Sequence, residues 1–95
     1  MRETYLKEFK PESWANMVQI YQERYDQVDL VIRAKVAKSK IPKELQIVLL
    51  PDMGEYLLTW MVRKIPALGH ETPSDYLKSE EGTKALKAAI LRMPR

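Results

Sequence analysis

The sequence predicts an all-α protein: one small helical domain of four to five helices with a long N-terminal helix. Apolar residues recur at steps of three and four through most of the chain, which is the period of an amphipathic helix. Residues that cap helices stand at the ends of these patterns. The chain also lacks a pair of strand-like runs that could form a sheet. Its 95 residues are enough for one core, burying roughly 60–70% of the unfolded chain's surface.

The longest helical pattern begins after Pro11 and continues to about Lys38. Its apolar stripe consists of Trp14, Met17, Val18, Tyr21, Tyr25, Val28, Ile32 and Val36. A continuous helix of this length would extend about 40 Å, more than so small a domain can easily cover. We therefore expect residues 1–50 to form a helical part that pairs with a second copy of the chain. A core helix with solvated ends, or a break into two shorter helices, are the alternatives.

The middle of the chain predicts two further helices. Pro42 ends the preceding segment, because the residue before a proline is pushed out of the helical region. The apolar run up to Leu50 could be a buried strand by periodicity alone, but it has no partner strand, so a short buried helix is the better interpretation. Pro51 then marks a boundary. A helix from Met53 to about Lys64 follows, apolar nearly all round and therefore central.

The residues after Trp60 predict a tight corner, a one-turn helix and a final helix. Gly69 suits the left-handed position that closes a helix end. Thr72 can cap a new helix that begins with Pro73, and Ser79 can cap the last helix, which extends to about Arg92. Gly82 would allow another helix to approach closely. The predicted structural corner consists of Trp60, Leu68, Gly69, Thr72, Pro73 and Gly82.

The residue types needed for catalysis or metal binding are scarce. The chain has no cysteine and one histidine, His70, which we interpret as a residue of an exposed turn. The carboxylates do not have the spacing of a zinc site, and the three glycines are too dispersed to hold a phosphate. We therefore expect no catalytic residue, no metal site and no cofactor, and predict that the protein is not an enzyme.

Charge and hydropathy favour a soluble protein that we expect in the cytoplasm, without a membrane partner. No apolar run approaches the roughly 18–20 residues that span a bilayer, and the N-terminus lacks the apolar core of a signal peptide. The net charge of +3 is too small to indicate nucleic-acid binding by itself. A basic cluster near the first corner is interpreted as a solvated face: Lys35, Lys38, Lys40 and Lys43.

The second half of the chain resembles the toxin-binding domain of the Xre/MbcA/ParS-type antitoxins. The similarity covers about residues 53–93, which we take as the toxin-binding part of the chain. It is carried by Trp60, Pro66-Ala67-Leu68-Gly69, Thr72-Pro73, Tyr76-Leu77, Glu81-Gly82, Leu86, Ile90 and Leu91. His70 stands where that family has a second corner glycine, and residues 1–50 do not show the DNA-binding segment that many members carry.

The resemblance implies an antitoxin of a type II toxin–antitoxin system, which binds and neutralises a RES-domain toxin that consumes NAD. It also implies a homodimer whose C-terminal region contacts the toxin. We expect the partner-binding residues to be Lys87, Leu91, Arg92, Met93 and Arg95. The alternatives are a small helical homodimeric interaction module and a transcriptional regulator whose partner is DNA.

Overall fold

A computed structural model describes residues 2–93 of the chain. Within that range it contains seven α-helices, one 3₁₀ turn at Pro66–Leu68 and no β-strand. The helices are α1 (Arg2–Glu8), α2 (Pro11–Asp26), α3 (Leu30–Ala37), α4 (Lys43–Met53), α5 (Tyr56–Trp60), α6 (Pro73–Tyr76) and α7 (Glu80–Arg92). The all-α class is confirmed. The predicted number of four to five helices is wrong, because the sequence pattern did not separate the shorter ones.

The described residues form two compact units. The first unit consists of residues 2–14 and 60–93, and therefore contains both ends of the described chain. The second unit is Ala15–Thr59. The sequence-predicted corner and final helix both belong to the first unit.

The long N-terminal helix is not continuous. Helix α2 ends at Asp26 and α3 begins at Leu30, so the alternative of two shorter helices is confirmed. The reason is local, because the Asp29 carboxylate accepts a hydrogen bond of 2.7 Å from the Val31 amide and caps a new helix. The backbone amides of Gln27 and Val28 donate to carbonyls three residues back, which tightens the end of α2.

Helix α4 supplies most of the core of the second unit. All six residues from Leu45 to Leu50 are buried, so the interpretation of this run as a buried helix is confirmed. The boundary expected at Pro51 is wrong, because this proline lies inside α4. The helix ends instead at Gly54, which has a φ of 59° and donates its amide to the Leu50 carbonyl.

The helix expected from Met53 to about Lys64 is reduced to the five residues of α5. Leu57 and Trp60 are buried, but Tyr56 and Val62 are exposed. The expectation of an element that is apolar nearly all round and central is therefore wrong at these two positions. Gly54 separates the segment from α4, and the chain turns after Trp60, where the Arg63 amide donates to the Trp60 carbonyl.

Helix α7 is the centre of the first unit, and both α1 and α6 pack against it. Its inner face is made largely of small side chains, which allow neighbouring helices to approach. The buried residues of α7 are Gly82, Ala85, Leu86, Ala88, Ala89 and Ile90. The hydrophobic stabilisation of this unit therefore depends on close approach as much as on large side chains.

At Gly82, α7 lies against the end of α6 without room for a side chain. A Cβ atom added there would lie 2.1 Å from the Tyr76 carbonyl oxygen, a distance that real Cβ atoms do not show. The obstacle is backbone rather than the end of a flexible side chain. Any other residue at this position would therefore have to push α6 away from α7.

We predict that Gly82→Ala destabilises the protein by about 2–3 kcal/mol, because overpacking against backbone forces the helices apart. This loss should occur although alanine favours helix more than glycine does. Chemical denaturation followed by circular dichroism measures it. Lys84→Ala, on the exposed side of the same helix, is the matched control and should change stability by less than about 0.5 kcal/mol. An equally stable Gly82→Ala variant would contradict the packing described here.

Candidate partner-binding site

The corner begins with the 3₁₀ turn, which ends in two successive left-handed residues. Gly69 has φ of 69° and His70 has φ of 63°. The His70 amide donates to the Ile65 carbonyl, and the Ile65 amide donates to the Glu71 carbonyl, each at 3.0 Å. These bonds close the loop into a small bridged structure. The prediction of Gly69 in the left-handed position is confirmed, although it ends the 3₁₀ turn rather than a longer α-helix.

Helix α6 is held by an N-terminal cap and by a hydrogen bond to the segment after α5. The Thr72 hydroxyl accepts from the Asp75 amide at 3.1 Å, and Pro73 occupies the first helical position, so this cap is confirmed. The Ser74 hydroxyl donates to the Met61 carbonyl at 2.7 Å. A hydrogen bond from Lys78, and a further one from Thr72, lower the pKa of Asp75 below its usual value of 3.8. The carboxylate is therefore ionised at neutral pH.

Tyr76 connects α6 to the 3₁₀ turn. Its ring is fully buried, and its hydroxyl donates to the Leu68 carbonyl at 3.1 Å. Burial raises the pKa of the phenol, and the nearby Glu71 carboxylate adds to that shift. The hydroxyl therefore stays protonated and remains a donor to the turn.

The start of α7 is capped as the sequence predicts. The Ser79 hydroxyl accepts from the Gly82 amide at 2.9 Å, and Glu80 and Glu81 lie in the first turn. Negative charge is favourable at this end of a helix. The direction in which α7 leaves the corner is thus set by its cap and by the contact between Gly82 and Tyr76.

Helix α1 also contacts the corner, and the sequence did not predict this contact. The Arg2 guanidinium binds both oxygens of Glu71 and lies 4.4 Å from the centre of the Tyr76 ring. The Tyr5 hydroxyl donates to the Ala67 carbonyl at 2.8 Å. These partners are more than 60 residues apart in the chain, and no local pattern signals such a pairing.

Four of the predicted partner-binding residues lie in the C-terminal half of α7 or directly after it, and Arg95 falls outside the described residues. Arg92 is exposed and binds both oxygens of Glu8, the shorter contact being 2.7 Å. The Lys87 ammonium lies 5.6 Å from the centre of the Trp14 ring. Leu91 and Met93 are half-buried. The structure therefore places these four residues between positions 87 and 93, with Arg92 exposed and the other three half-buried.

The predicted corner residues lie close together in the first unit. Trp60, Leu68, Pro73 and Gly82 are buried, while Gly69 and Thr72 form the turn and the cap. An apolar cavity of about 70 Å³ lies beside them. It is lined by Tyr5, Trp60, Ile65, Ala67, Leu68, Leu86, Ala89, Ile90 and Met93. Sites for small organic molecules usually measure about 300–1,000 Å³, so this cavity is too small for a nucleotide.

Two lysines of the basic cluster in the second unit have partners within that unit. Lys35 lies 3.7 Å from the Glu55 carboxylate, and the Lys43 ammonium donates to the Tyr25 hydroxyl at 2.7 Å.

Among residues 2–93 there is no group of three or more acidic or histidine side chains that could hold a metal ion. None of the helices in this range is both long and apolar enough to cross a membrane.

Comparison of the chain with protein-family models, with curated proteins and with solved structures gives no match.

We predict that His70→Gly stabilises the protein by about 0.5–1 kcal/mol. The left-handed conformation costs a residue with a side chain about 1–2 kcal/mol, which glycine avoids. Glycine also has more conformational freedom in the unfolded chain, which lowers the free energy of unfolding and cancels about 0.4–1 kcal/mol of that gain. The melting temperature should therefore rise by about 2–8 °C. His70→Ala, which keeps the backbone strain, should not stabilise, and a destabilised His70→Gly variant would show that the imidazole supports the fold.

Proposed function

We propose that this protein is a non-catalytic, antitoxin-type binding protein that neutralises a RES-domain, NAD-consuming toxin through the C-terminal part of α7. The observation that carries the proposal is the fixed corner between residues 65 and 82. Caps, a buried tyrosine and a helix contact without space for a Cβ atom hold α7 in one direction. This is an arrangement that suits presentation of a helix to another protein.

The solvent-facing side of α7 has the character of an interface. Lys84, Lys87 and Leu91 are three and four residues apart, so they lie on one face of the helix. The opposite face is occupied by the core of the first unit. Leu91, which is half-buried, is the apolar residue on the outer face, and Met93 follows at the helix end. Partly exposed apolar side chains surrounded by polar ones are typical of the centres of protein interfaces.

The cations at this helix end define what the partner surface would have to offer. Arginine binds a carboxylate or phosphate group through paired N–H donors, so the partner group that faces Arg92 would be an anion. Arg92 is paired with Glu8 in the free protein. Because an exposed ion pair contributes only about 0–1 kcal/mol, Arg92 can exchange Glu8 for a partner group at little cost.

The test co-expresses this protein with the product of the adjacent gene, which we expect to be the RES-domain toxin, with co-purification and the rate of NAD consumption as readouts. We predict that the protein slows NAD consumption, and that Leu91→Asp weakens binding about thirtyfold or more, the effect of losing a central interface residue. Deletion of residues 92–95 should also weaken binding without unfolding the first unit.

Glu8→Gln is the matched control, because it breaks the same ion pair as the deletion but leaves Arg92 in place. Binding by this variant should equal that of the unmodified protein. Co-purification that survives the deletion unchanged would exclude this placement of the interface, and an unmodified protein that leaves NAD consumption unaffected would exclude the antitoxin function.

A homodimer formed through the second unit is the second candidate function. Three large apolar side chains of that unit are strongly exposed: Ile20 at 70%, Leu30 at 72% and Val31 at 73%. Ile20 belongs to α2, whereas Leu30 and Val31 form the start of α3. Burial of such side chains against a second copy would provide the stabilisation that a small core lacks.

We predict that sedimentation velocity shows a dimer and that Leu30→Asp together with Val31→Asp converts it to a monomer, because buried carboxylates oppose association. Val62→Asp is the matched control: Val62 is similarly exposed, at 68%, but lies in the first unit. A monomer at all concentrations would contradict this second function, as would a dimer that withstands the double substitution.

A further inference from the structure

The loop of residues 62–70 is exposed along most of its length, yet its backbone is held in place. Only Leu68 is buried and Ile65 half-buried, and the other seven residues are exposed. Two of its carbonyls accept hydrogen bonds from side chains outside the loop: Tyr5 donates to Ala67 and Tyr76 donates to Leu68. A third bond, from the His70 amide to the Ile65 carbonyl, closes the loop on itself. The loop backbone is therefore held in one conformation.

His70 is the unusual residue of this loop. Among residues 2–93 it is the only one other than glycine with a positive φ. Its imidazole is exposed and forms no hydrogen bond or ion pair within the described residues. The backbone conformation therefore disfavours a side chain, while the fold gains no hydrogen bond or ion pair from the imidazole that is present. A strained residue that the fold does not use is a reason to seek its role in recognition.

The remaining exposed residues of the loop define the kind of surface that it would fit. Lys64 is basic and exposed, and no carboxylate occurs between residues 62 and 70. The neighbouring Glu71 is occupied by Arg2 through both oxygens. Three exposed apolar residues accompany this lysine: Val62, Pro66 and Ala67. The complementary surface is an apolar patch with carboxylates at its edge.

We propose that residues 62–70 form a second, preformed contact surface for the protein partner, and that the His70 side chain hydrogen-bonds to an acceptor on that partner. This inference rests on the proposed function, because the partner is the same RES-domain toxin. It adds a surface that is separate in sequence from the end of α7. The fixed backbone lowers the entropy lost on binding, since the loop does not have to be ordered first.

The test compares His70→Gly and His70→Ala in calorimetric titrations with that toxin. Both variants lack the imidazole, but they differ in backbone strain and hence in stability. We expect both to bind about tenfold more weakly than the unmodified protein, the effect of losing about one interfacial hydrogen bond. Affinity should thus fall for both variants while stability rises for His70→Gly alone. Unchanged binding by either variant would overturn the inference.

A charge reversal tests the rest of the surface. Lys64→Glu should weaken binding about tenfold through repulsion of the partner's carboxylates, whereas Lys38→Glu, an exposed lysine of the second unit, should leave it unchanged. If both charge reversals have equal effects, the loop is not a specific surface.

Leu91→Asp, measured in parallel, separates this inference from the proposed function. If it loses binding while the His70 and Lys64 variants do not, the loop inference fails and the antitoxin function stands. If the unmodified protein does not bind the toxin, both fail.

Discussion

The contact between Gly82 and the Tyr76 carbonyl is the constraint on which the first unit depends. No side chain fits between α6 and α7 at this point, so the two helices have one available separation. That separation places the Tyr76 hydroxyl within reach of the Leu68 carbonyl. The same tyrosine ring lies against the Arg2 guanidinium, which in turn holds Glu71. The absence of a side chain at Gly82 thereby allows the 3₁₀ turn and α1 to take their positions. It also fixes the direction in which α7 leaves the corner.

The corner has a consequence for binding. Its surface residues are attached to a backbone that is already ordered, with caps at Thr72 and Ser79 and a bridge between Ile65 and Glu71. Rigid presentation reduces the conformational entropy that association would otherwise cost. The apolar cavity next to it is too small for a nucleotide, so this region is better suited to contact with a protein surface than to enclosing a ligand.

The sequence predicted the corner well because its determinants are local. Caps act over three residues and the left-handed glycine over one, so spacing alone identifies them. The break in the first long helix was harder to predict, since one side chain, Asp29, overrides an apolar stripe that continues past it. Helix α4 continues through Pro51, where burial of the preceding residues outweighs the local breaker. The docking of α1 could not be predicted, because its partners lie more than 60 residues away.

The central claim, that the corner is rigid before any partner binds, is tested most directly by amide hydrogen exchange of the free protein. The informative amides are those of Ile65, His70, Ser74 and Gly82, each of which donates to a defined acceptor in the corner. Hydrogen-bonded amides in cooperative structure exchange only when that structure opens. We predict protection at these four positions comparable to that of the buried residues of α7. Exchange at the rate of an unstructured peptide would show that the corner forms only on binding and would contradict the account.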